Sequence, residues 1–249
     1  NWILDNLVPS FVRDSRILMT PLFYLLFGKK YKLFMNFKAE ASRLSSQQMQ
    51  DYYKVLESSH IKRETDLNKK SIAYILNNIE GSTVLDISCG RGYLANKIVQ
   101  YKKVMVTGID FIIPEKLKKS NNPKFIEATI TNIPFENDAF ETVICTHTLE
   151  HIVDIDIAIS ELRRVCAKRL IIVVPRQKEY KYTFDLHVHF FPYKYSLLDK
   201  MNYQGESICK QMSMIVDYDT RTTLADSIVQ HTHTHKRFHP VYEHCLSKI

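Results

Sequence analysis

The middle of the chain, residues 81–176, alternates short apolar runs of β-forming residues with helical runs. This alternation constrains the fold because a strand that is apolar along its whole length must be buried on both faces. Strands of that kind, separated by helices, form a parallel sheet that helices cover on both sides. The predicted strands occupy residues 83–87, 104–109, 125–126, 140–146 and 170–174, and the predicted helices occupy 93–101 and 156–165.

A glycine-containing turn follows the first predicted strand, in the segment VLDISCGRGYLA at residues 84–95. Gly90 and Gly92 let the backbone turn sharply and approach a ligand closely, and the helix that follows offers free backbone N–H groups to an anion. The second strand leads to Asp110, about 20 residues farther on, where a carboxylate can accept both hydroxyls of a ribose. The spacing therefore predicts a nucleotide-type cofactor site at the carboxyl ends of these strands.

Three segments, in order, resemble class I S-adenosylmethionine-dependent methyltransferases, in particular the small-molecule branch called methyltransferase type 11. The turn DISCGRG resembles the first motif of that family, and IPFENDAFETVICTHTLEHI at residues 133–152 resembles its LPF…LEH signature. The segment HVHFFPYKYSLLDKM at 187–201 resembles the part that follows its fifth strand. The resemblance covers about residues 81–201. It implies a Rossmann-like, doubly wound α/β fold with a mostly parallel sheet, S-adenosylmethionine as cofactor and S-adenosylhomocysteine as product.

The resemblance also implies which residues hold the cofactor. Asp86, Gly90 and Gly92 match the positions that shape the methionine pocket of the family. Asp110 matches the acid that binds the ribose, and Phe111 beside it is expected to flank the adenine. The full predicted cofactor-binding set is Asp86, Ser88, Gly90, Gly92, Asp110, Phe111, Thr129, Ile130 and Thr146.

Three positions depart from the family pattern. Ser88 replaces the first glycine of the turn, Thr129 stands where an aspartate often binds the adenine amino group, and Glu141 replaces an aspartate. Serine is small, so the turn can survive with altered geometry, and the threonine hydroxyl can hydrogen-bond but carries no charge. These departures keep open a second hypothesis, a degenerate methyltransferase fold that binds the cofactor without catalysis.

Histidines supply the predicted chemistry. Methyl transfer to an oxygen or carbon acceptor usually needs a base, and histidine suits that role near neutral pH. His147 follows the fourth predicted strand, and His187 and His189 follow the fifth, at the edge where open α/β sheets bind ligands. These three are the predicted catalytic residues, with loop orientation as the alternative role of His187. His151 is expected to pack or hydrogen-bond instead.

No metal site is predicted. The five cysteines are widely spaced and form no CxxC pair, which argues against a zinc ribbon or a thioredoxin-type site. His231, His233 and His235 alternate with threonine, and three ligands on one face of a strand would strain a single metal site. An exposed edge strand is the favoured interpretation of this tail.

Residues 1–80 are predicted to form a helical extension or lid, and residues 81–249 the methyltransferase core with an irregular, histidine-rich C-terminal segment. The extension contains the apolar run ILMTPLFYLLF at residues 17–27, which is too short to cross a bilayer. Two interpretations stay open: a helix buried against its own domain, or, through residues 17–37, contact with a membrane or a lipid-like substrate.

Local signals predict where the remaining elements lie. Pro21 suits the first turn of a helix, with Thr20 as its N-cap. Further helices are expected at 46–57, 67–78 and 193–201, and an antiparallel edge pair of strands is expected after the last of them.

Composition bounds the partners. The net charge of +7 is dispersed along the chain, whereas proteins that track phosphates concentrate their Lys and Arg, so no nucleic acid is predicted. The odd number of unclustered cysteines is typical of a reducing compartment. We therefore predict a cytoplasmic protein, either free or associated with a membrane. The predicted acceptor is a hydroxyl on a sugar, or a lipid-linked or other cell-envelope molecule; a quinone-like or other small metabolite is the alternative.

Overall fold

The computed structural model describes residues 7–44, 48–49, 51–52, 64–202, 206–210 and 213–219. Most of the helix predicted at 46–57, and all of the histidine-rich tail, lie outside the described residues.

Seven strands form one sheet at the centre of the described part: β1 (Thr83–Ile87), β2 (Met105–Asp110), β3 (Lys124–Glu127), β4 (Phe140–Thr146), β5 (Cys166–Pro175), β6 (Glu206–Lys210) and β7 (Ser213–Asp219). Their order is β3-β2-β1-β4-β5-β7-β6. β1 to β5 run parallel, and β7 pairs antiparallel with both β5 and β6. The chain reverses its direction of travel across the sheet between β1 and β4, so the carboxyl ends of these strands border the crevice that binds ligands in open α/β sheets.

The helices of the described part lie before and between these strands. They are α1 (Ser10–Arg13), α2 (Arg16–Phe27), α3 (Tyr31–Glu40), α4 (Lys69–Asn77), α5 (Tyr93–Tyr101), α6 (Glu115–Lys118), α7 (Ile155–Arg164) and α8 (Lys194–Lys200), with short 3-10 turns at Gly28–Lys30, Ala41–Arg43 and Leu149–His151. The parallel strands β1 to β5 confirm the prediction made from the alternation of strands and helices. The antiparallel pair β6 and β7, predicted separately, is also present.

Each face of the sheet has its own apolar core. Leu85 and Ile87 of β1 pack in one buried cluster with residues of α7 and α8. Val84, whose side chain points to the opposite face, packs in a second buried cluster with residues of α4 and α5. Successive side chains of a strand point to opposite faces, so the unbroken apolar runs of the sequence serve both cores.

The helix α2 begins earlier than predicted. Its N-cap is Ser15, whose hydroxyl accepts a hydrogen bond from the Leu18 N–H at 3.4 Å. Pro21 lies inside the helix, and the Thr20 hydroxyl donates to the Arg16 carbonyl at 2.7 Å. The assignment of Thr20 as N-cap was therefore wrong, because an earlier serine with extended backbone already caps the helix.

The N-terminal helices pack against the segment that links β5 to α8. The Phe23 ring is fully buried and stacks on Phe184, with ring centroids 4.3 Å apart. The Lys38 ammonium donates to the Tyr180 carbonyl at 3.1 Å. We call this apolar group the N-terminal cluster; its buried members are Met19, Phe23, Phe34, Met35, Phe37, Ala41, Tyr182 and Leu186.

Among the described residues, no helix combines the length and the apolar character that crossing a membrane requires.

Candidate cofactor and acceptor site

The turn between β1 and α5 is held open by backbone in the left-handed region. Ser88, Gly90 and Gly92 have φ angles of 55°, 52° and 75°. The Cys89 N–H donates to the Ile109 carbonyl at 3.0 Å, which ties the turn to β2. Ser88 thus adopts a left-handed conformation that glycine favours. The turn therefore forms with serine at this position.

Asp110 ends β2 directly beside this turn. Its Oδ2 accepts a hydrogen bond from the Gly90 N–H at 2.8 Å. Burial raises the pKa of the Asp110 carboxyl, and the N–H groups of Gly90, Ile112 and Phe111 oppose that shift. Phe111 is partly exposed next to it. The turn and the acid, which the sequence placed 20 residues apart, are therefore in direct contact.

Asp86 supplies a second, deeper carboxylate at the same place. Its side chain is only 1% exposed, and it accepts a backbone hydrogen bond from Ala95 in the first turn of α5. Burial, and then the neighbouring charge of Asp110, raise the pKa of Asp86 to about 7. Among the described residues, its Oδ2 has no hydrogen-bond partner. A buried carboxylate oxygen of this kind is costly unless a donor or a cation reaches it.

The remaining predicted cofactor residues lie at the ends of the neighbouring strands. Thr129 and Ile130 follow β3, where the Ala128 N–H donates to the Asp110 carbonyl at 2.9 Å. Thr129 is exposed and Ile130 is buried. Thr146 ends β4, adjacent to β1 in the sheet. All of them lie at the carboxyl edge.

Glu141 lies elsewhere. It is the second residue of β4, at the amino end of the strand, where it accepts hydrogen bonds from the Ser82 N–H and hydroxyl and pairs with Lys168. The hydrogen bond from Lys168, and those from Ser82, lower the pKa of Glu141 to about 2. This departure from the family pattern therefore braces the start of β1 and does not touch the cofactor turn.

A histidine–carboxylate cluster occupies the carboxyl end of β4. His147 has a φ of 50°, and its N–H donates to the Val173 carbonyl of β5 at 2.8 Å. Its Nδ1 lies 3.5 Å from Oε1 of Glu150, which is 1% exposed. Among the described residues, Nε2 of His147 has no hydrogen-bond partner.

The segment after β5 adds His187 to this cluster. The Glu150 carbonyl accepts hydrogen bonds from the Val188 and His189 N–H groups at 2.8 and 3.0 Å, which fixes this segment on the turn after β4. The His187 ring packs edge-on against His151, with centroids 4.7 Å apart. Burial, and then the nearby His151, lower the pKa of His187 to about 4, so this imidazole is neutral at pH 7.

The structure thus brings two of the three predicted catalytic histidines, His147 and His187, around Glu150. His189 joins through its backbone, and among the described residues its buried Nε2 has no partner. Burial acts to raise the pKa of Glu150, but the neighbouring imidazoles outweigh it and lower this pKa.

Sequence reasoning missed Glu150 and Gln177 and expected His151 to pack or hydrogen-bond, and Nδ1 of His151 does lie 3.1 Å from the Leu186 carbonyl. A signal was available for Glu150, because it follows the predicted catalytic residue His147 by only three positions. Gln177, whose Oε1 lies 2.7 Å from Nδ1 of His187, carries no such signal, since its contact depends on the path of a loop.

Comparison with known proteins identifies this arrangement. The family model described as a methyltransferase domain matches residues 85–174. A sterol 24-C-methyltransferase of Gibberella zeae is 31% identical over 37% of this chain and 27% of its own length. A demethylmenaquinone methyltransferase of Staphylococcus haemolyticus is 29% identical over 44% of this chain and 52% of its own length. The chain thus spans about a quarter to a half of the length of these curated relatives.

A solved structure extends the match in fold. The crystal structure of 1,6-didemethyltoxoflavin-N1-methyltransferase from Burkholderia thailandensis, with bound 1,6-didemethyltoxoflavin and S-adenosylhomocysteine, aligns with a TM-score of 0.56. It is 13% identical and covers 69% of this chain and 86% of its own. The strand order, the glycine turn with its two acids and the family match agree. Residues 85–174 therefore match a methyltransferase domain, and the sheet that contains them has the fold of class I S-adenosylmethionine-dependent methyltransferases.

Proposed function

We propose that this protein transfers a methyl group from S-adenosylmethionine to an oxygen of a small acceptor, a sugar or a lipid-linked molecule. The observation that carries the proposal is the pair of carboxylates beside the open turn at Gly90, the buried Asp86 and the half-buried Asp110. The His147–Glu150 cluster at the neighbouring strand end supports the acceptor half of the reaction.

The residues of the turn fit the cofactor. A methyl group added at Gly90 would meet no atom within 4 Å, so the backbone there can be approached closely. Oδ2 of Asp86, buried without a partner among the described residues, suits the cationic amino group of the methionine part. Asp110 suits the ribose hydroxyls, and Phe111, Thr129 and Ile130 the adenine. When bound, S-adenosylmethionine would supply a methyl group on a sulfonium sulfur, and that sulfur would keep the electron pair of the carbon–sulfur bond and become a neutral thioether.

The chain's own contribution to the chemistry is to hold an acceptor and take its proton. As the acceptor oxygen forms its bond to the methyl carbon, the carbon–sulfur bond breaks and the hydroxyl proton must leave. His147 is the first candidate for that proton, because its Nε2 has no partner among the described residues and its Nδ1 faces the Glu150 carboxylate, 3.5 Å from Oε1. His187 and His189 remain the other two candidates.

The names of the curated relatives favour an apolar or lipid-linked acceptor. The curated relatives named above act, by their names, on a sterol and on demethylmenaquinone. A third, a 2-phytyl-1,4-naphtoquinone methyltransferase of Trichormus variabilis, has an acceptor with a long hydrocarbon chain. A quinone-like acceptor is therefore the second candidate. Among the tyrosines that follow β5, Tyr180 and Tyr182 are buried in the protein's own packing, whereas Tyr193 and Tyr195 are about half exposed.

We further propose that the N-terminal helices act as a lid that meets a membrane surface. Ile17 and Leu25 of α2 are 84% and 81% exposed, although its Phe23 is buried in the N-terminal cluster. Exposed Lys29 and Lys30 follow the helix. An apolar face flanked by cations suits a bilayer with anionic headgroups.

Flotation with vesicles tests the membrane proposal. The full chain is expected to float with vesicles of equal parts phosphatidylcholine and phosphatidylglycerol, and less with phosphatidylcholine alone. Ile17→Glu with Leu25→Glu should abolish flotation. Ile157→Glu, at a half-exposed apolar position of α7, is the matched control and should float like wild type. Equal flotation of both variants would contradict the proposal.

Calorimetric titration tests the cofactor proposal. Wild type is expected to bind S-adenosylmethionine and S-adenosylhomocysteine, and Asp110→Ala to bind both at least tenfold more weakly. Lack of binding by folded wild type would refute it and would indicate that the altered turn is disabling. Binding without turnover on any sugar, lipid-linked or quinone acceptor would instead favour the non-enzymatic scaffold.

The three histidines are tested separately from cofactor binding. Alanine variants of His147, His187 and His189 are assayed for turnover on an acceptor found by screening, and for their Kd for S-adenosylhomocysteine. A residue that takes the proton should lose turnover by about 10²–10⁴-fold and keep its cofactor affinity. A variant that loses both has a structural role instead.

A further inference from the structure

Glu150 is a buried carboxylate that the described protein does not satisfy. Its side chain is 1% exposed, and among the described residues neither of its oxygens accepts a hydrogen bond. Nδ1 of His147 lies 3.5 Å from Oε1, and Nε2 of His151 lies 4.0 Å from it; both separations exceed an ordinary hydrogen bond. A carboxylate removed from water in this way calls for a cation.

Two imidazoles face this carboxylate. One ligand atom from each of Glu150, His151 and His187 can be chosen so that all three lie within 4.8 Å of one another. Ligands at about 2.0–2.2 Å from a tetrahedral ion lie roughly 3.4 Å apart. Side-chain rotations that move these atoms by about an ångström therefore bring the three of them to ligating distances.

The outer hydrogen bonds of the two rings prepare them to ligate. Nδ1 of His151 lies 3.1 Å from the Leu186 carbonyl, and Nδ1 of His187 lies 2.7 Å from Oε1 of Gln177. The Leu186 carbonyl oxygen and Oε1 of Gln177 can only accept, so Nδ1 of each ring is the donor, and in the neutral ring Nε2 on the other side carries no proton. Metal-bound histidines are oriented and fixed in their tautomer by such outer partners.

We infer that Glu150, His151 and His187 bind one divalent transition-metal ion of the zinc and iron(II) class. Two imidazoles and one carboxylate favour these ions over Mg²⁺ and Ca²⁺, which prefer sets made of oxygen ligands alone. The site lies at the carboxyl end of β4, on the acceptor side of the sheet. It is independent of the cofactor turn, and an ion there leaves coordination positions for an acceptor oxygen.

Cobalt titration of the full-length chain tests the inference. Co²⁺ is added to protein freed of metal by a chelator, its visible absorption is followed, and Zn²⁺ is then added to displace it. One equivalent of Co²⁺ is expected to give the intense bands of a low-coordinate site. Glu150→Gln should weaken Co²⁺ binding at least tenfold, and His151→Asn and His187→Asn should do the same.

The histidine-rich tail requires its own control, because it offers imidazoles outside the described residues. A variant with His231, His233, His235, His239 and His244 all changed to alanine should keep the one-equivalent signal. Loss of the signal in that variant, or the absence of any stoichiometric binding by wild type, overturns the inference and leaves the cluster as an ionic pair of Glu150 with His147.

Cofactor affinity serves as the check on folding. Each variant is titrated with S-adenosylhomocysteine, and a Kd within about twofold of wild type shows that the sheet and the turn are intact. In wild type, failure of metal binding while cofactor binding persists refutes this inference and leaves the proposed function standing. Cofactor binding that fails while metal binding persists does the reverse.

Discussion

Gly90 and Gly92 share left-handed backbone but differ in what surrounds them. At Gly90 an added Cβ meets no atom within 4 Å, whereas at Gly92 it would lie 2.8 Å from Cζ of Phe125. Both alanine variants carry left-handed strain of about 1–2 kcal/mol. Only Gly92→Ala also forces an overlap in the core, which costs about 1–3 kcal/mol more.

This contrast predicts opposite main effects for the two variants. Gly92→Ala should lower the melting temperature well below that of Gly90→Ala. Gly90→Ala should bind S-adenosylmethionine more weakly than its modest loss of stability accounts for, because its methyl group projects into the open approach to the turn. Thermal denaturation and calorimetric titration measure the two quantities; equal melting temperatures would contradict the assignment of space around these glycines.

The buried Asp86 predicts a pH dependence of cofactor binding. Its pKa is raised from 3.8 to about 7, so the folded protein favours the protonated form below that pH. The free energy of unfolding without cofactor should therefore fall as the pH rises from about 4 to about 7. A cationic ligand group favours the carboxylate, so affinity for S-adenosylmethionine should rise over the same window, by at most about tenfold per pH unit.

Calorimetric titrations between about pH 5.5 and 7 check this dependence. Asp86→Asn is the matched control, since it keeps the size of the side chain and removes its ionisation. Its affinity should be lower than that of wild type at pH 7 and nearly flat across the window. A variant that keeps the full pH dependence would assign it to another group, with Asp110 the first to examine.

The sequence predicted where the residues of the turn after β1 lie far better than it predicted the contacts of the histidine–carboxylate cluster. Asp86 and Asp110 end strands whose apolar runs are local and continuous, so their positions follow from the parallel sheet alone. The importance of Glu150 depends on His187 being brought to it. That contact is set by backbone hydrogen bonds from Val188 and His189 to the Glu150 carbonyl, which no local pattern encodes.

At the scale of elements, α7 holds the loop that follows Thr129, which we propose borders the adenine. Arg164, at the end of α7, donates to the Phe135 carbonyl at 2.6 Å and to the Ile133 carbonyl at 2.9 Å. It also pairs with Glu161, whose Oε2 accepts from the Ile133 N–H at 2.8 Å. The helix thereby fixes the segment that follows Thr129.

This arrangement predicts that Arg164→Lys will not replace arginine. Lysine keeps the charge beside Glu161 but lacks the planar fork that reaches two carbonyls at once. We expect a loss of about 1–2 kcal/mol in the free energy of unfolding and weaker binding of the adenine part, measured with adenosine as the ligand. A lysine variant with wild-type stability and adenosine affinity would show that the ion pair alone holds the loop.

Element boundaries followed the sequence closely where the apolar pattern was strong and failed where two signals competed. β4 and α5 have the predicted bounds, because alternation and helical spacing each extend over the whole element. In α2, Thr20 and Pro21 predicted that the helix begins after Thr20, but the helix is capped by Ser15, five residues earlier. A cap residue is effective only where its own backbone is extended, as at Ser15, and sequence alone does not reveal which of two caps meets that condition.

At the scale of the whole molecule, the N-terminal cluster joins the helical extension to the loop that carries His187. Phe23 stacks on Phe184 and packs edge-on against Tyr182, with ring centroids 6.3 Å apart. Leu186, the residue before His187, is fully buried in the same cluster. We therefore expect a shift of the extension to displace the loop that carries His187. The turn after β1 packs in a separate apolar core.

Phe23→Ala tests this division of the molecule. Removing the ring should cost the N-terminal cluster roughly 3–5 kcal/mol, so hydrogen exchange should quicken both in α2 and α3 and in residues 182–188. Exchange in β1 and β4, and the Kd for S-adenosylhomocysteine, should stay close to wild type, while the KM for the acceptor rises. Leu25→Ala is the matched control, because this leucine of the same helix is exposed and should change none of these. Faster exchange confined to α2 and α3 would mean that the extension and the acceptor loop move independently, and the lid proposal would fail with it.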